Sequence, residues 1–212
     1  MKIGIDARVL QGERRGHWRY AYNLINALLN IDKENEYVLF YNAFHKGHFL
    51  FKPQANLRQV WCRWPGTILK NLWSNFSWPP ANSLLRQRID VFHNTINYNR
   101  VFYTPIPFVK NMVVTYHGLP SADILFESFS HKSSDTQSWL EIVRDSAAKI
   151  ILISNLANKS LLEHISVPEE RMQIVYEGVE GLFKPREDKD EVKKAISKYN
   201  LADKKYILYV GG

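Results

Sequence analysis

The 212-residue sequence predicts an α/β domain, a parallel β-sheet with helices on both of its faces. Three observations predict it. Apolar runs of strand length recur along the chain, and segments with helical spacing lie between them. At least one run, KIILI at 149–153, reads as a buried strand of the kind parallel sheets contain. Hydrophobic residues make up 45% of the chain and aromatic residues 13%, enough for a buried core and too many for a disordered segment.

The elements follow in order. Lys2 to Asp6 is the first strand, and a loop with Gly12 and Gly16 comes after it. A helix begins near His17, with Trp18, Ala21, Tyr22, Ile25, Leu28 and Leu29 at helical spacing. Tyr37 to Tyr41 and Asn56 to Cys62 read as the second and third strands. Residues 67–86 read as helical until Pro79 and Pro80 interrupt them. Asp90 to His93 is a short strand, a loop with Pro105 and Pro107 follows, and Met112 to Tyr116 is a strand that ends at His117-Gly118. The polar stretch 128–138 reads as a loop leading into a helix near Trp139 to Ala148. Lys149 to Ile153 is the next strand, and Ser154 is placed to cap a helix carrying Leu156, Leu161, Leu162 and Ile165. Met172 to Tyr176 is the last strand of this domain.

From 184 onward the composition turns charged and polar, as in a linker with one exposed helix, and Tyr206 to Val210 reads as a new strand before Gly211-Gly212. The expected organisation is therefore a domain over 1–183, a linker over 184–204, and over 205–212 the first strand of a second domain that continues past Gly212.

A net charge of +7 suits phosphate-bearing ligands, nucleic acid or an anionic membrane surface, and equally a merely solvated surface. Cys62 is the single cysteine, which excludes an internal disulfide and a cysteine-built metal site and fits a reducing compartment. The opening MKIGID reaches Asp6 too soon for a signal peptide, and no run of about 18 apolar residues occurs. The expected location is the cytoplasm, with a peripheral position on the inner membrane face as its extension.

Ligands of open parallel sheets bind at the carboxyl ends of the strands. That rule selects Asp6 and Arg8 after the first strand, His93, Asn94 and Asn97 after the fourth, and His117 and Gly118 after the fifth. Ser154 and the Glu177-Gly178 turn follow the last two. Gly12 and Gly16 precede a helix whose amides and dipole could face an anion, with Arg14, Arg15 and Arg19 adding charge, although a simple turn explains the glycines as well. His117 can hydrogen-bond a substrate hydroxyl or stabilise a charged leaving group, or it can simply bond nearby backbone. No acidic ligand run accompanies His93 and His117, so no metal site is expected. The segment Trp61 to Pro80 interleaves aromatic and basic residues. Trp61 reads as core, whereas Arg63, Trp64, Lys70, Trp73, Phe76 and Trp78 read as a membrane-facing or acceptor-binding surface. Such a pattern also occurs in single-strand nucleic-acid binders.

Taken together, MKIGIDARVL, GHWRYAYNLINAL, VFHNTINY, VVTYHGL, the stretch from KIILISN to GLFKP, and YILYVGG resemble, in order and spacing, the N-terminal half of family-4 retaining glycosyltransferases of the GT-B fold. The resemblance covers essentially the whole chain. It implies two Rossmann-like domains facing a cleft, the N-terminal one holding the acceptor and the C-terminal one the nucleotide-sugar. It further implies that Gly12, Gly16, His17 and Arg19 approach the donor diphosphate, that His117 lies near the transferred sugar, and that Glu177 to Glu180 form a turn beside the cleft. A pair of donor-contacting glutamates would lie beyond Gly212. Trp18 stands where the family commonly has a second glycine, Gly118 where it has an aspartate, and Glu177 where it has an asparagine. The implied reaction is transfer of a hexose-like unit, with retention, to a saccharide or lipid-linked acceptor in polysaccharide or glycolipid synthesis. No cofactor, metal or nucleic acid is expected. The alternatives are a module binding nucleic acid or another anionic polymer, and a GT-B sugar-nucleotide epimerase.

Overall fold

The computed structural model describes residues 1–43, 49–62, 87–95, 111–118, 133–181, 183–202 and 204–209. Two compact units divide it, Met1–Glu177 and Gly178–Gly212.

Among the described residues the first unit holds seven parallel strands: β1 (Lys2–Asp6), β2 (Glu36–Asn42), β3 (Leu57–Cys62), β4 (Val91–Asn94), β5 (Met112–Tyr116), β6 (Ala147–Leu152) and β7 (Met172–Ile174). Their order is β3-β2-β1-β4-β5-β6-β7. The chain winds outward from β1 in one direction and then restarts at β4 on its other side, so β1 and β4 flank the switch point of a doubly wound sheet.

The two-residue side-chain period of a strand sorts the core into two layers. Tyr37, Leu39 and Tyr41 of β2 join Ile5 under the helix α1 (Gly16–Ile31), which buries Ala21, Ile25 and Leu29. Val38 and Phe40 point the other way and join Phe92, Val114, Tyr116 and Leu152. That second layer is covered by α2 (Ser133–Ser146), through Trp139, Leu140 and Val143, and by α3 (Asn155–Leu162), through Ala157 and Leu161. Helices therefore lie on both faces, as expected. Gly4 in β1 lets this layer close: a Cβ there would stand 3.0 Å from both Phe40 and Phe92.

Several elements differ from the sequence reading. The polar stretch expected to be a loop is helical from Ser133 onward, because Trp139, Leu140 and Val143 anchor the helix and packing overrides weak propensity. Ala147 and Ala148 belong to β6 and not to the preceding helix; Ala147 stands in register with Met112, and the pairing then shifts so that Lys149 faces Val113. The Arg171 guanidinium bridges this junction by donating to the carbonyls of Arg144, at 2.7 Å, and Ala147. The helix after Ser154 ends at Leu162, so Ile165, placed on it by the sequence, lies buried beyond its end, while Leu156 and Leu162 are exposed. Trp61 keeps 37% of its surface exposed and stacks on Phe49 at 5.1 Å, so it lies at the sheet edge and not inside.

In the second unit α4 (Lys189–Ser197) buries no residue, and Asp188 caps it by accepting from the amides of Asp190 and Glu191. Residues 204–209 have no strand partner among the described residues. No helix among the described residues is long and apolar enough to cross a membrane.

Candidate functional site

Phe92 and Tyr116 face the second layer, so strand alternation turns His93, Thr95, Thr115 and His117 to the α1 face. There the first turns of α1 meet them. His17 and Tyr20 are three residues apart, hence on one side of the helix, and both reach His117. The site thus assembles at the carboxyl ends of β4 and β5, beside the switch point.

His117 sits at its centre, with its side chain 8% exposed. Its Nε2 lies 2.9 Å from the Thr95 carbonyl oxygen, and its Nδ1 lies 3.3 Å from Glu177 Oε1. The His17 and Tyr20 rings meet the imidazole edge-on, each with its centroid 4.7 Å away. Beneath them the Tyr20 hydroxyl shares a 3.0 Å hydrogen bond with Thr115 Oγ1, which shares one of 2.8 Å with His93 Nε2. The Thr95 hydroxyl donates to the Asp6 carbonyl at 3.2 Å and ties the ends of β1 and β4 together.

Burial governs the charges. It pushes His93 down to about 4, with nearby His117 adding to the effect. His117 is also lowered by burial, against the opposing pull of the Thr95 carbonyl. His17 is exposed as a residue, yet its ring lies against His117, and the partial burial and that neighbour hold it below its ordinary value against the pull of Glu177. Burial raises the Tyr20 phenol. Near neutral pH the site therefore presents uncharged rings able to donate or accept hydrogen bonds.

The structure brings His17, His93, His117 and Glu177 together and assigns other selected residues different work. Asp6 and Arg8 form an ion pair buried to 1% exposure on both side chains, with Arg8 Nε donating to Asp6 Oδ1 at 2.8 Å. Together they shape the loop after β1, with the Arg8 amide also donating to Asp6 Oδ1. Gly12 follows a 3-10 turn over Arg8–Gln11 that the sequence reading missed, and its amide is bonded to the Val9 carbonyl. Gly16 opens α1, where Arg15 provides no side-chain cap. Arg19 is exposed on the same turn. Trp18 turns away from His117, donating to the Leu10 carbonyl and stacking on Tyr22 at 4.8 Å, with Arg14 over its ring. Asn94 is buried at the end of β4. Gly118 has φ +97°, a conformation that favours glycine. Ser154 caps α3 as expected, accepting from the Ala157 amide at 3.1 Å. Gly178 lies in the second unit, exposed. Asn97, Arg63, Trp64, Lys70, Trp73, Phe76 and Trp78 lie outside the described residues. Tyr20, Thr95 and Thr115 were not selected from sequence; the signal was their two-residue spacing from His93 and His117 and the three-residue spacing from His17. Among the described residues no three His, Cys, Asp or Glu side chains cluster as a metal site would need.

A doubly wound sheet with polar side chains gathered at the switch point defines a Rossmann-like domain. Within that class the chain belongs to glycosyltransferase family 4, whose description matches residues 14–180. Solved structures of the Anabaena protein Alr3699/HepE share the fold. The complex with UDP and glucose aligns with TM-score 0.56 at 15% identity, covering 96% of this chain and 51% of that one. The complex with UDP-glucose aligns with TM-score 0.58 at 14% identity, covering 96% and 50%. The chain thus spans about half the length of these structures. No protein of curated function matches the sequence.

Proposed function

We propose that this chain is the acceptor-side half of a transferase that moves a hexose-like unit from a nucleotide-sugar to a saccharide or lipid-linked acceptor, with retention at the anomeric carbon. The observation that carries it is the meeting of His117 at the end of β5 with His17 in the first turn of α1. A nucleotide-sugar presents a diphosphate beside a hydroxylated ring. The uncapped start of α1 offers amides and the positive dipole end to the first, and His117 Nδ1 can accept from a hydroxyl of the second when the exposed Glu177 side chain turns aside. The family membership and the UDP-glucose held by the fold neighbour support the donor class.

Helix end and basic side chains carry the diphosphate charge in this reading, so no metal or other cofactor is required. Attack comes from the front face, with the leaving diphosphate taking the acceptor proton, and no protein nucleophile is used. In this reading the donor site is completed by the protein's own C-terminal domain beyond Gly212. The protein works in the cytoplasm, its basic surface against the inner membrane face, in polysaccharide or glycolipid synthesis; it takes no nucleic acid.

The test supplies labelled UDP-hexose to the protein carrying both domains, with membrane lipid and saccharide acceptors. Label in a saccharide or lipid product is expected. Free sugar released without an acceptor would point to an epimerase, and salt-sensitive oligonucleotide binding without turnover to a polymer-binding module. His117→Ala should lower kcat by an order of magnitude or more, whereas near-normal turnover would make His117 structural.

A further inference from the structure

The His117 imidazole is held at both nitrogens. A carbonyl oxygen only accepts, so the 2.9 Å contact with Thr95 keeps a hydrogen on Nε2 in every protonation state of the ring. In the neutral ring Nδ1 is then a lone pair, and it faces Glu177 Oε1 at 3.3 Å. Lone pair against carboxylate is repulsive. A single proton between them turns the same contact into a charge-assisted hydrogen bond. The ring is enclosed, while the Glu177 side chain, reaching it from the loop after β7, keeps 44% of its surface exposed and has room to turn into solvent.

The other groups facing the ring do not supply that charge. His17 and Tyr20 approach from α1, and His93 lies behind on β4. A proton on His17 would oppose one on His117. The next residue, Gly118, has no side chain, and its φ of +97° would strain any replacement. The carboxylate at Nδ1 therefore comes from Glu177, 60 residues on in the chain and two strands away across the sheet.

We propose that Glu177 is a positioning residue for His117: with Thr95 fixing the hydrogen on Nε2, Glu177 Oε1 captures a solvent proton together with Nδ1 and so sets how readily the ring enters the reaction charged. The inference rests on the transferase reading for its consequence, since it assumes that His117 meets substrate, but its first test needs no turnover.

That test is an imidazole nitrogen NMR titration of the chain labelled at histidine, as wild type, Glu177→Gln and Glu177→Asp. Nε2 should stay protonated throughout and Nδ1 should titrate. Losing the carboxylate charge in Glu177→Gln should lower the His117 midpoint by about one pH unit, because an opposite charge favours the charged ring. Glu177→Asp should restore part of the shift. A Glu177→Gln midpoint within about 0.2 unit of wild type, or a neutral ring protonated at Nδ1, would overturn the proposal. In the two-domain protein, the limb of the pH–rate profile that reports His117 should move down in Glu177→Gln by the same amount. Absent sugar transfer with an intact titration would instead defeat the transferase reading and leave the Glu177 coupling standing.

Discussion

His93 and the Asp6–Arg8 pair lie at the same end of the sheet, and burial acts on them in opposite ways. His93 is held neutral, with a folded value near 4 against about 6.5 in the unfolded chain. Between those values the unfolded chain binds a proton that the folded chain refuses, so stability falls as pH drops from about 6.5 towards 4. The slope from this one residue approaches 1.4 kcal/mol per pH unit. Denaturant unfolding of His93→Gln across that window should show a shallower slope than wild type. Asp6 and Arg8 face each other as a buried ion pair, so removing either takes that buried partner from the other. Asp6→Ala should cost about 3–5 kcal/mol and Arg8→Ala a similar amount, with the double variant well short of the sum in urea unfolding. The sequence showed these residues at a strand end but not that they pair with each other. That depends on the 3-10 turn at Arg8–Gln11, which folds the guanidinium back onto the carboxylate two residues earlier.

Strands and caps were legible because their signals are local. Apolar runs marked all seven strands, and Ser154 was readable as a cap because its hydroxyl bonds an amide three residues away. The extent of α2 was not legible, since its polar first turns are sustained by Trp139, Leu140 and Val143 packing on a sheet that no local window contains. Gly4 is a similar case: nothing near it in sequence demands glycine, yet Phe40 and Phe92 meet over it from neighbouring strands. Gly4→Ala should destabilise the domain by about 1–3 kcal/mol through overpacking, measured by thermal or urea unfolding, without a change in the site's histidine titrations.

At the scale of the whole molecule, the order β3-β2-β1-β4-β5-β6-β7 brings together α1, β4, β5 and the end of β7, segments 160 residues apart in the chain, at one rim of the sheet. If the donor site is completed by a second domain, the 212-residue chain alone should catalyse no transfer and bind a nucleotide-sugar only weakly. Calorimetry showing micromolar affinity for the chain alone would contradict this. The sequence by itself determined the α/β class, the succession of strands, the Ser154 cap and the family, because hydrophobic period, local hydrogen bonding and motif order are properties of neighbours in the chain. Only the tertiary structure decided which residues form the site. It closed Asp6 on Arg8, turned Trp18 away, and brought Tyr20, Thr95, Thr115 and Glu177 around His117. The first two depend on how the 3-10 turn folds the loop after β1 back on itself, and the last on which face of each strand meets which helix across the sheet, where no short stretch of sequence holds both partners.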